Sequence, residues 1–220
     1  MPNEPPVPTG SAARRASLAS AATRLGNPPR SANALPLPRQ PSASGVVTDE
    51  GVLRLRLNNT GTSNLQLVVD RRHPPVGPPL HYDLAPDQEH AAEVVTAAGT
   101  YEVAVHGPNG FLRVLGGDTA STLAGVEATL EVTGPASAPT LRLVLHNADG
   151  VTRAFRVSNR LGGSAAHRVP PRSTKDLLFQ PLQHDRGWYD LTVDVEGVTS
   201  WGRRFAGHLE RQGPSGPADR

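Results

Sequence analysis

The strongest constraint in this sequence is an internal repeat. Three pairs of segments match in the same order: 53–59 with 141–147, 99–105 with 187–193, and 111–117 with 201–207. The first two pairs share one offset, 147 − 59 = 88 and 189 − 101 = 88, which argues against chance. The third has an offset of 90, as a two-residue insertion in a turn would produce. The chain therefore predicts two copies of one structural unit.

Each copy is rich in segments where apolar and polar residues alternate. In the segment 52–58 (VLRLRLN) the alternation has period two, which is typical of a half-buried strand. Turn residues separate such segments at short intervals, among them Thr60-Gly61 and Asn109-Gly110. No long amphipathic helix is apparent. The pattern predicts an all-β chain of two tandem small antiparallel β-sandwich domains, immunoglobulin-like, with six or seven strands each.

The alternation also predicts which side chains face the two cores. The predicted inward positions are Leu53, Leu55, Leu57, Val103 and Val105 in the first unit, and Leu141, Leu143, Leu145, Leu191 and Val193 in the second.

Composition sets the expected domain boundaries. Residues 1–44 are rich in Pro, Ala, Ser and Arg without apolar periodicity, so we expect a disordered linker that cannot offset its ordering entropy. We expect the first β-sandwich repeat over 45–118 and the second over 124–211. The Gly- and Pro-rich segment 212–220 is expected to be a flexible tail.

Residues that carry common catalytic chemistry are sparse. The chain has no cysteine, and none of its eight histidines falls in an H-x-x-x-H pair. His81 and Asp83 share a strand face, which suits a solvated surface better than a metal site. Neither a G-x-S-x-G nor a G-x-x-x-x-G-K-[ST] motif occurs. We therefore expect no catalytic residue, metal ligand or cofactor in this chain.

Charge and hydropathy exclude further classes. The formal net charge is +2 and the basic residues are scattered, which is unlike a nucleic-acid-binding surface. No apolar stretch approaches the length of a transmembrane helix. Arg14-Arg15 faintly resembles a twin-arginine export signal, but the apolar region that should follow is short and is interrupted at Arg24. The sequence thus offers no usable signal peptide.

Two surface features have alternative interpretations. The triplet Asn58-Asn59-Thr60 fits the N-glycosylation pattern, and it equally fits a strand-end turn in which Asn bonds its own backbone. The closing segment of the second unit concentrates aromatic and basic residues that are candidates for contact with a partner or a lipid: Trp188, Tyr189, Trp201, Arg203 and Arg204. Alternation puts Trp188 and Tyr189 on opposite strand faces, so core packing is the competing interpretation for these aromatics.

Three motifs carry a family resemblance. They are the segments 101–113 (YEVAVHGPNGFLR), 187–193 (GWYDLTV) and 203–210 (RRFAGHLE). In this order and with this duplication, they resemble the C-terminal tandem domains of the bacterial phosphocholine-preferring phospholipases C, of the phosphoesterase family. The resemblance covers about residues 35–210.

The resemblance implies a function as well as a fold. In that family a metal-dependent catalytic domain precedes the tandem domains, and nothing in this chain resembles it. The implied function is a non-catalytic accessory region in lipid catabolism, which packs on a phospholipase C-type catalytic domain or contacts phospholipid. Secretion is implied by the family, and activity of this chain alone is not expected. The alternative is a stand-alone β-sandwich module that binds cell wall, carbohydrate or a protein partner.

Overall fold

Alternating segments form strands throughout the part of the chain that the structure describes. The computed structural model describes residues 40–48, 52–73, 77–95, 99–119, 123, 125–135 and 138–210. The elements of the first repeat are β1 (Pro41–Val47), β2 (Val52–Asn59), β3 (Leu65–Arg71), β4 (Leu80–Leu84), β5 (Gln88–Val95), β6 (Thr100–His106) and β7 (Leu112–Asp118). Those of the second are β8 (Val126–Thr133), β9 (Thr140–Asn147), β10 (Arg153–Asn159), β11 (Ser164–Val169), β12 (Ser173–Phe179), α1 (Pro181–His184), β13 (Trp188–Val195) and β14 (Val198–His208).

The two ends of the chain lie mostly outside the described residues. This applies to the tail expected over 212–220 and to the linker expected over 1–44 up to residue 39. Strand β1 begins at Pro41, ahead of the boundary expected at residue 45.

Strands β1–β7 and β8–β14 have the same topology, which confirms the all-β sandwich fold. In the first repeat, β1-β2-β5 form one sheet and β4-β3-β6-β7 belong to the other; the second repeat pairs β8-β9-β12 and β11-β10-β13-β14 in the same way. Tyr101 lies opposite Gly117 across β6 and β7, and Tyr189 lies opposite Gly207 across β13 and β14. Residues matched in the repeat therefore occupy equivalent strand positions.

Each repeat has its own hydrophobic core. All ten side chains predicted to face inward are buried, and they divide between two separate apolar clusters, one for each repeat. In the second core the rings of Phe155 and Trp201 meet edge to face, with centroids 6.0 Å apart. The burial of these alternating apolar side chains is the main way in which the strand sequences stabilise the folded state.

The two repeats share one sheet, which the sequence did not predict. Strand β7 pairs with β14 in antiparallel register, and this pairing gives an eight-stranded sheet of order β11-β10-β13-β14-β7-β6-β3-β4. Without this pairing, β7 and β14 would each be the edge strand of a sheet, with unpaired backbone N–H and C=O groups. The pairing thus closes two edges and fixes the orientation of one repeat against the other.

In each repeat a buried asparagine stabilises the corner, the connection where the chain crosses from one sheet to the other. The Asn59 side-chain oxygen accepts a hydrogen bond from the Gly61 amide at 3.1 Å, and Nδ2 donates to the Leu84 and Ala85 carbonyls. Leu84 ends β4, so the bonds tie the end of β2 to the crossing into β5. This is the strand-end turn that was one interpretation of 58–60.

The equivalent residue of the second repeat is Asn147. Its Nδ2 lies 2.8 Å from the Val151 carbonyl oxygen and 3.0 Å from those of Val169 and Pro170. Its side-chain oxygen accepts from the Asp149 amide at 3.0 Å. The corner is therefore built the same way in both repeats.

A tyrosine ring covers a glycine across the strand pair in each repeat, and this leads to a prediction. A Cβ placed on Gly117 would lie 2.5 Å from Cζ of Tyr101. We expect Gly117→Ala to displace the ring and lower the free energy of unfolding by about 1–3 kcal/mol, as overpacking does. Urea denaturation of the purified chain measures this change.

The matched control is Gly116→Ala in the same strand. A Cβ at Gly116 would lie no closer than 3.7 Å to its neighbours, which is ordinary contact. Its effect should stay below about 1 kcal/mol. Equal losses for the two variants would contradict the proposed role of the tyrosine ring.

Candidate functional site

Two buried arginines lie where the repeats join. We call the paired strands β7 and β14 the seam. In its register Arg113 lies opposite Phe205, and Arg203 lies opposite Leu115, on either side of the pair Val114 and Arg204. Arg113 is 5% exposed and Arg203 is 6% exposed. Because Arg113 and Arg203 are matched residues of the repeat, the seam has an approximate two-fold arrangement.

Arg203 is fully engaged with protein groups. Its Nε and Nη2 donate to the two carboxylate oxygens of Glu127 at 2.6 and 2.8 Å. Its Nη1 donates to the carbonyls of Gly116 and Gly202 at 2.6 and 2.9 Å, and the guanidinium also bonds Tyr101. Burial opposes the charge, but the Glu127 carboxylate and the Tyr101 phenol together hold the pKa of Arg203 above its ordinary value. This is a bidentate buried ion pair.

Tyr101 completes this group from the first repeat. Burial raises the pKa of the Tyr101 phenol above its ordinary value, while the Arg203 charge beside it acts in the opposite direction. Tyr101 and Gly116 belong to the first repeat, and Arg203 and Glu127 belong to the second. The network therefore joins the repeats through side chains as well as through backbone pairing.

Arg113 makes the equivalent contacts with one difference. Its Nη1 donates to the carbonyls of Leu112 and Ala206 at 2.9 and 3.1 Å, and its Nη2 donates to the Tyr189 hydroxyl at 3.2 Å. The guanidinium carbon lies 4.3 Å from the centroid of the Phe111 ring. Within the described residues, Arg113 has no carboxylate partner.

Trp188 is an exposed aromatic beside the seam. Its side chain is 51% exposed, and its ring centroid lies 4.8 Å from that of His208. The ring also covers Gly110 at the tip of the β6–β7 hairpin, where a Cβ would lie 3.0 Å from it. Asn109, the other turn residue, donates to Glu210 at 3.0 Å. The Asn109-Gly110 turn, predicted as a hairpin, thus contacts the second repeat.

A cavity of about 460 Å³ opens beside these residues. Its walls come from both repeats and include Ser42, Phe111, Arg113, Tyr189 and His208. The combination of an arginine with aromatic walls gives the cavity both a cationic and an apolar side.

The structure separates the residues proposed for partner or lipid contact. Tyr189 and Trp201 are buried in the second core, and Arg203 is buried in its ion pair. These three therefore have packing roles, and Tyr189 also forms part of the cavity wall. Arg204 is one-third exposed and donates to both carboxylate oxygens of Asp190, at 2.9 and 2.8 Å. Trp188 is the candidate with a large exposed apolar surface.

Two residues, one on the seam and one on β8 beside it, were missed as functional candidates. Glu127 has no motif around it, and its pairing with Arg203 spans 76 residues of sequence. The surroundings of Arg113 differ from those of Arg203 in the group that lies near the guanidinium, which is fixed by the fold and not by the local sequence. The match between 111–117 and 201–207 was the available signal, because it makes the two arginines equivalent.

Other chemistry is not assembled among the described residues. No group of three or more His, Asp or Glu side chains there is placed to hold a metal ion. Asp83, considered above with His81, accepts a hydrogen bond from Gln66 at 3.0 Å. No helix in the described part of the chain has the length and apolar character to span a bilayer.

Comparison with known families decides what the chain is related to. The family described as bacterial phospholipase C, C-terminal domain, matches twice, over residues 33–118 and 125–208. The chain belongs to this family. The two matches coincide with the two sets of seven strands, so each copy of the family domain is one sandwich repeat.

Full-length relatives are much longer than the matched region. A non-hemolytic phospholipase C of Pseudomonas aeruginosa is 32% identical over 76% of this chain and 25% of its own length. One from Burkholderia pseudomallei is 31% identical over 75% of the chain and 24% of its own length. A hemolytic phospholipase C of Pseudomonas aeruginosa is 28% identical over 56% of the chain and 17% of its own length. The chain thus spans about a quarter of the first two relatives.

Proposed function

We propose that these phospholipase C C-terminal domains form a non-catalytic accessory region of a secreted phospholipase C-type phosphoesterase that acts in lipid catabolism. The observation that carries the proposal is the double family match, which corresponds to about a quarter of the relatives named phospholipase C. The catalytic groups would then lie in a separate domain. This region would pack on that domain or contact its phospholipid substrate.

The seam supports a contact role. The shared eight-stranded sheet and the ion pair between Arg203 and Glu127 hold two sandwiches in one orientation, which gives a large preformed surface. Trp188 lies at that surface, half-exposed and contacted by both repeats. An aromatic ring with one polar edge suits a partner or lipid interface. We propose Trp188 on β13 and Arg204 on β14 as the contact residues.

The first prediction of this proposal concerns activity. The purified chain should not hydrolyse p-nitrophenyl phosphorylcholine with or without divalent metals, because phosphodiester cleavage needs a positioned nucleophile and usually a metal. Hydrolysis that follows the protein through purification, and that one substitution in this chain abolishes, would overturn the non-catalytic role.

Contact with a catalytic domain is tested by co-purification with the remainder of the Pseudomonas aeruginosa non-hemolytic relative. Contact with lipid is tested by co-sedimentation with phosphatidylcholine vesicles. Trp188→Ser should weaken binding by at least about tenfold, as loss of an aromatic anchor does. The control is Leu178→Ser, since Leu178 is 68% exposed and lies on β12, away from the seam. If binding is absent in both assays, or if Trp188→Ser and Leu178→Ser bind like the unaltered chain, this contact face is wrong.

A further inference from the structure

The two seam arginines differ in how many of their hydrogen-bond donors are used. A guanidinium has five N–H donors. In Arg203, Nη1 serves two carbonyls, Nε and Nη2 serve the Glu127 carboxylate, and Tyr101 completes the set. In Arg113, Nη1 serves two carbonyls and Nη2 serves the Tyr189 hydroxyl. Among the described residues, Nε and the second Nη2 hydrogen of Arg113 donate to no acceptor.

These unused donors form the same edge that binds a carboxylate in Arg203. An arginine edge of this kind holds two oxygens of a carboxylate or phosphate through parallel hydrogen bonds. In the second repeat a glutamate supplies those oxygens from within the chain. In the first repeat no equivalent group is in place.

Strand register explains the difference. Glu127 lies opposite His146 in the pair β8 and β9. Ser42 lies opposite Asn58 in the pair β1 and β2, and Asn58 corresponds to His146 in the repeat. Ser42 therefore occupies the position of Glu127. A serine side chain is two atoms shorter than that of glutamate and carries no charge, so it leaves space where the carboxylate would lie.

That space is the cavity already described. Both Ser42 and Arg113 line it, together with the Tyr189 ring that bonds Arg113. Two carboxylates also line it, and both have partners: Glu131 lies 3.5 Å from Arg142, and Glu210 accepts from Asn109 at 3.0 Å. Arg113 is the arginine in this wall, and it is 5% exposed. A guanidinium that buried gains most from a charged acceptor.

We propose that this cavity is a binding site for a phosphate group, which takes the place of the missing glutamate on the Nε–Nη2 edge of Arg113. Phosphate fits better than a bare carboxylate because two of its oxygens fill the edge and a further oxygen can accept from the Ser42 hydroxyl. Free phosphate and a phospholipid headgroup share this chemistry. The site is a property of the chain itself and does not depend on the proposed accessory function.

Inorganic phosphate is the probe, and NMR of the arginine Nε–H groups is the readout. Phosphate should shift the Arg113 Nε–H resonance and raise the thermal midpoint, while chloride at equal ionic strength should not. Ser42→Glu should supply the missing carboxylate, raise the midpoint without phosphate, and reduce phosphate affinity at least about tenfold. Arg113→Gln should also lose the response to phosphate. If Arg113→Gln does not fold, Ser42→Glu still tests the proposal.

Ser44→Glu is the matched control, because it adds the same charge to the same strand at a residue that does not line the cavity. It should bind phosphate like the unaltered chain. Co-sedimentation with vesicles that contain phosphatidic acid shows whether a headgroup also reaches the site; binding of either form supports it. No shift with either form, or equal affinity in the Ser42→Glu and Ser44→Glu variants, would overturn the proposal.

Discussion

Replacing Glu127 with glutamine should lower the free energy of unfolding by about 3 kcal/mol, although the change is one atom for another. The substitution leaves Arg203 charged and 6% exposed without a counter-charge. A buried charge that loses its partner carries the desolvation penalty alone. We expect the lower end of the range for broken buried pairs, because the amide oxygen still accepts one hydrogen bond. Urea denaturation at neutral pH measures the loss.

Two comparison variants separate the buried pair from a general effect of charge. Glu131→Gln on the same strand removes an ion pair with Arg142 that is exposed, and it should cost less than about 1 kcal/mol. Adding Arg203→Met to Glu127→Gln should recover part of the stability, because the orphaned charge is then removed. If Glu127→Gln costs no more than Glu131→Gln, the seam is not held by this pair.

Replacing Asn147 with aspartate should make the stability of the chain depend strongly on pH. The side chain is fully buried, and its Nδ2 faces three carbonyl oxygens within 3.0 Å. A carboxylate oxygen in that place would be repelled by all three, so we expect a loss of about 4 kcal/mol or more at pH 7. The cross-sheet corner of the second repeat depends on these bonds.

The sign of the pH effect follows from linkage. Burial and the carbonyl oxygens raise the pKa of the new carboxyl group in the folded state above its unfolded value of about 3.9. The folded state then binds the proton more tightly, so the loss of stability grows as pH rises above the unfolded pKa. Urea midpoints of Asn147→Asp and the unaltered chain should therefore converge at low pH and diverge toward neutrality.

Asn59→Asp should behave in the same way, because Asn59 makes the equivalent hydrogen bonds at the corner of the first repeat. Asn58→Asp is the matched control, since Asn58 is only half-buried. A midpoint difference for Asn147→Asp that does not change with pH would contradict the explanation through the carbonyl oxygens.

The sequence determined the fold class, the duplication and the cores through local and periodic signals. Alternation with period two decides which side chains face inward, so Leu53, Leu141 and the other predicted positions are buried as expected. The Asn109-Gly110 turn could be predicted because Asn and Gly tolerate positive φ better than most residues. In the structure their φ angles are 58° and 72°. The family motifs indicated the relationship because they recur in order in both copies.

The tertiary structure alone decided the seam and what the site residues do. Pairing of β7 with β14 joins residues about 90 positions apart, and no local pattern encodes which edge strand meets which. Trp201 and Arg203, which looked like contact residues, are buried in the second core and in the ion pair with Glu127, while Trp188 stays half-exposed. The contrast between Arg113 and Arg203 depends on whether a serine or a glutamate occupies the equivalent position on another strand, because only the glutamate reaches its arginine. Such long-range partners are fixed by packing and by the cost of leaving a buried charge unpaired, and both appear only in the folded chain.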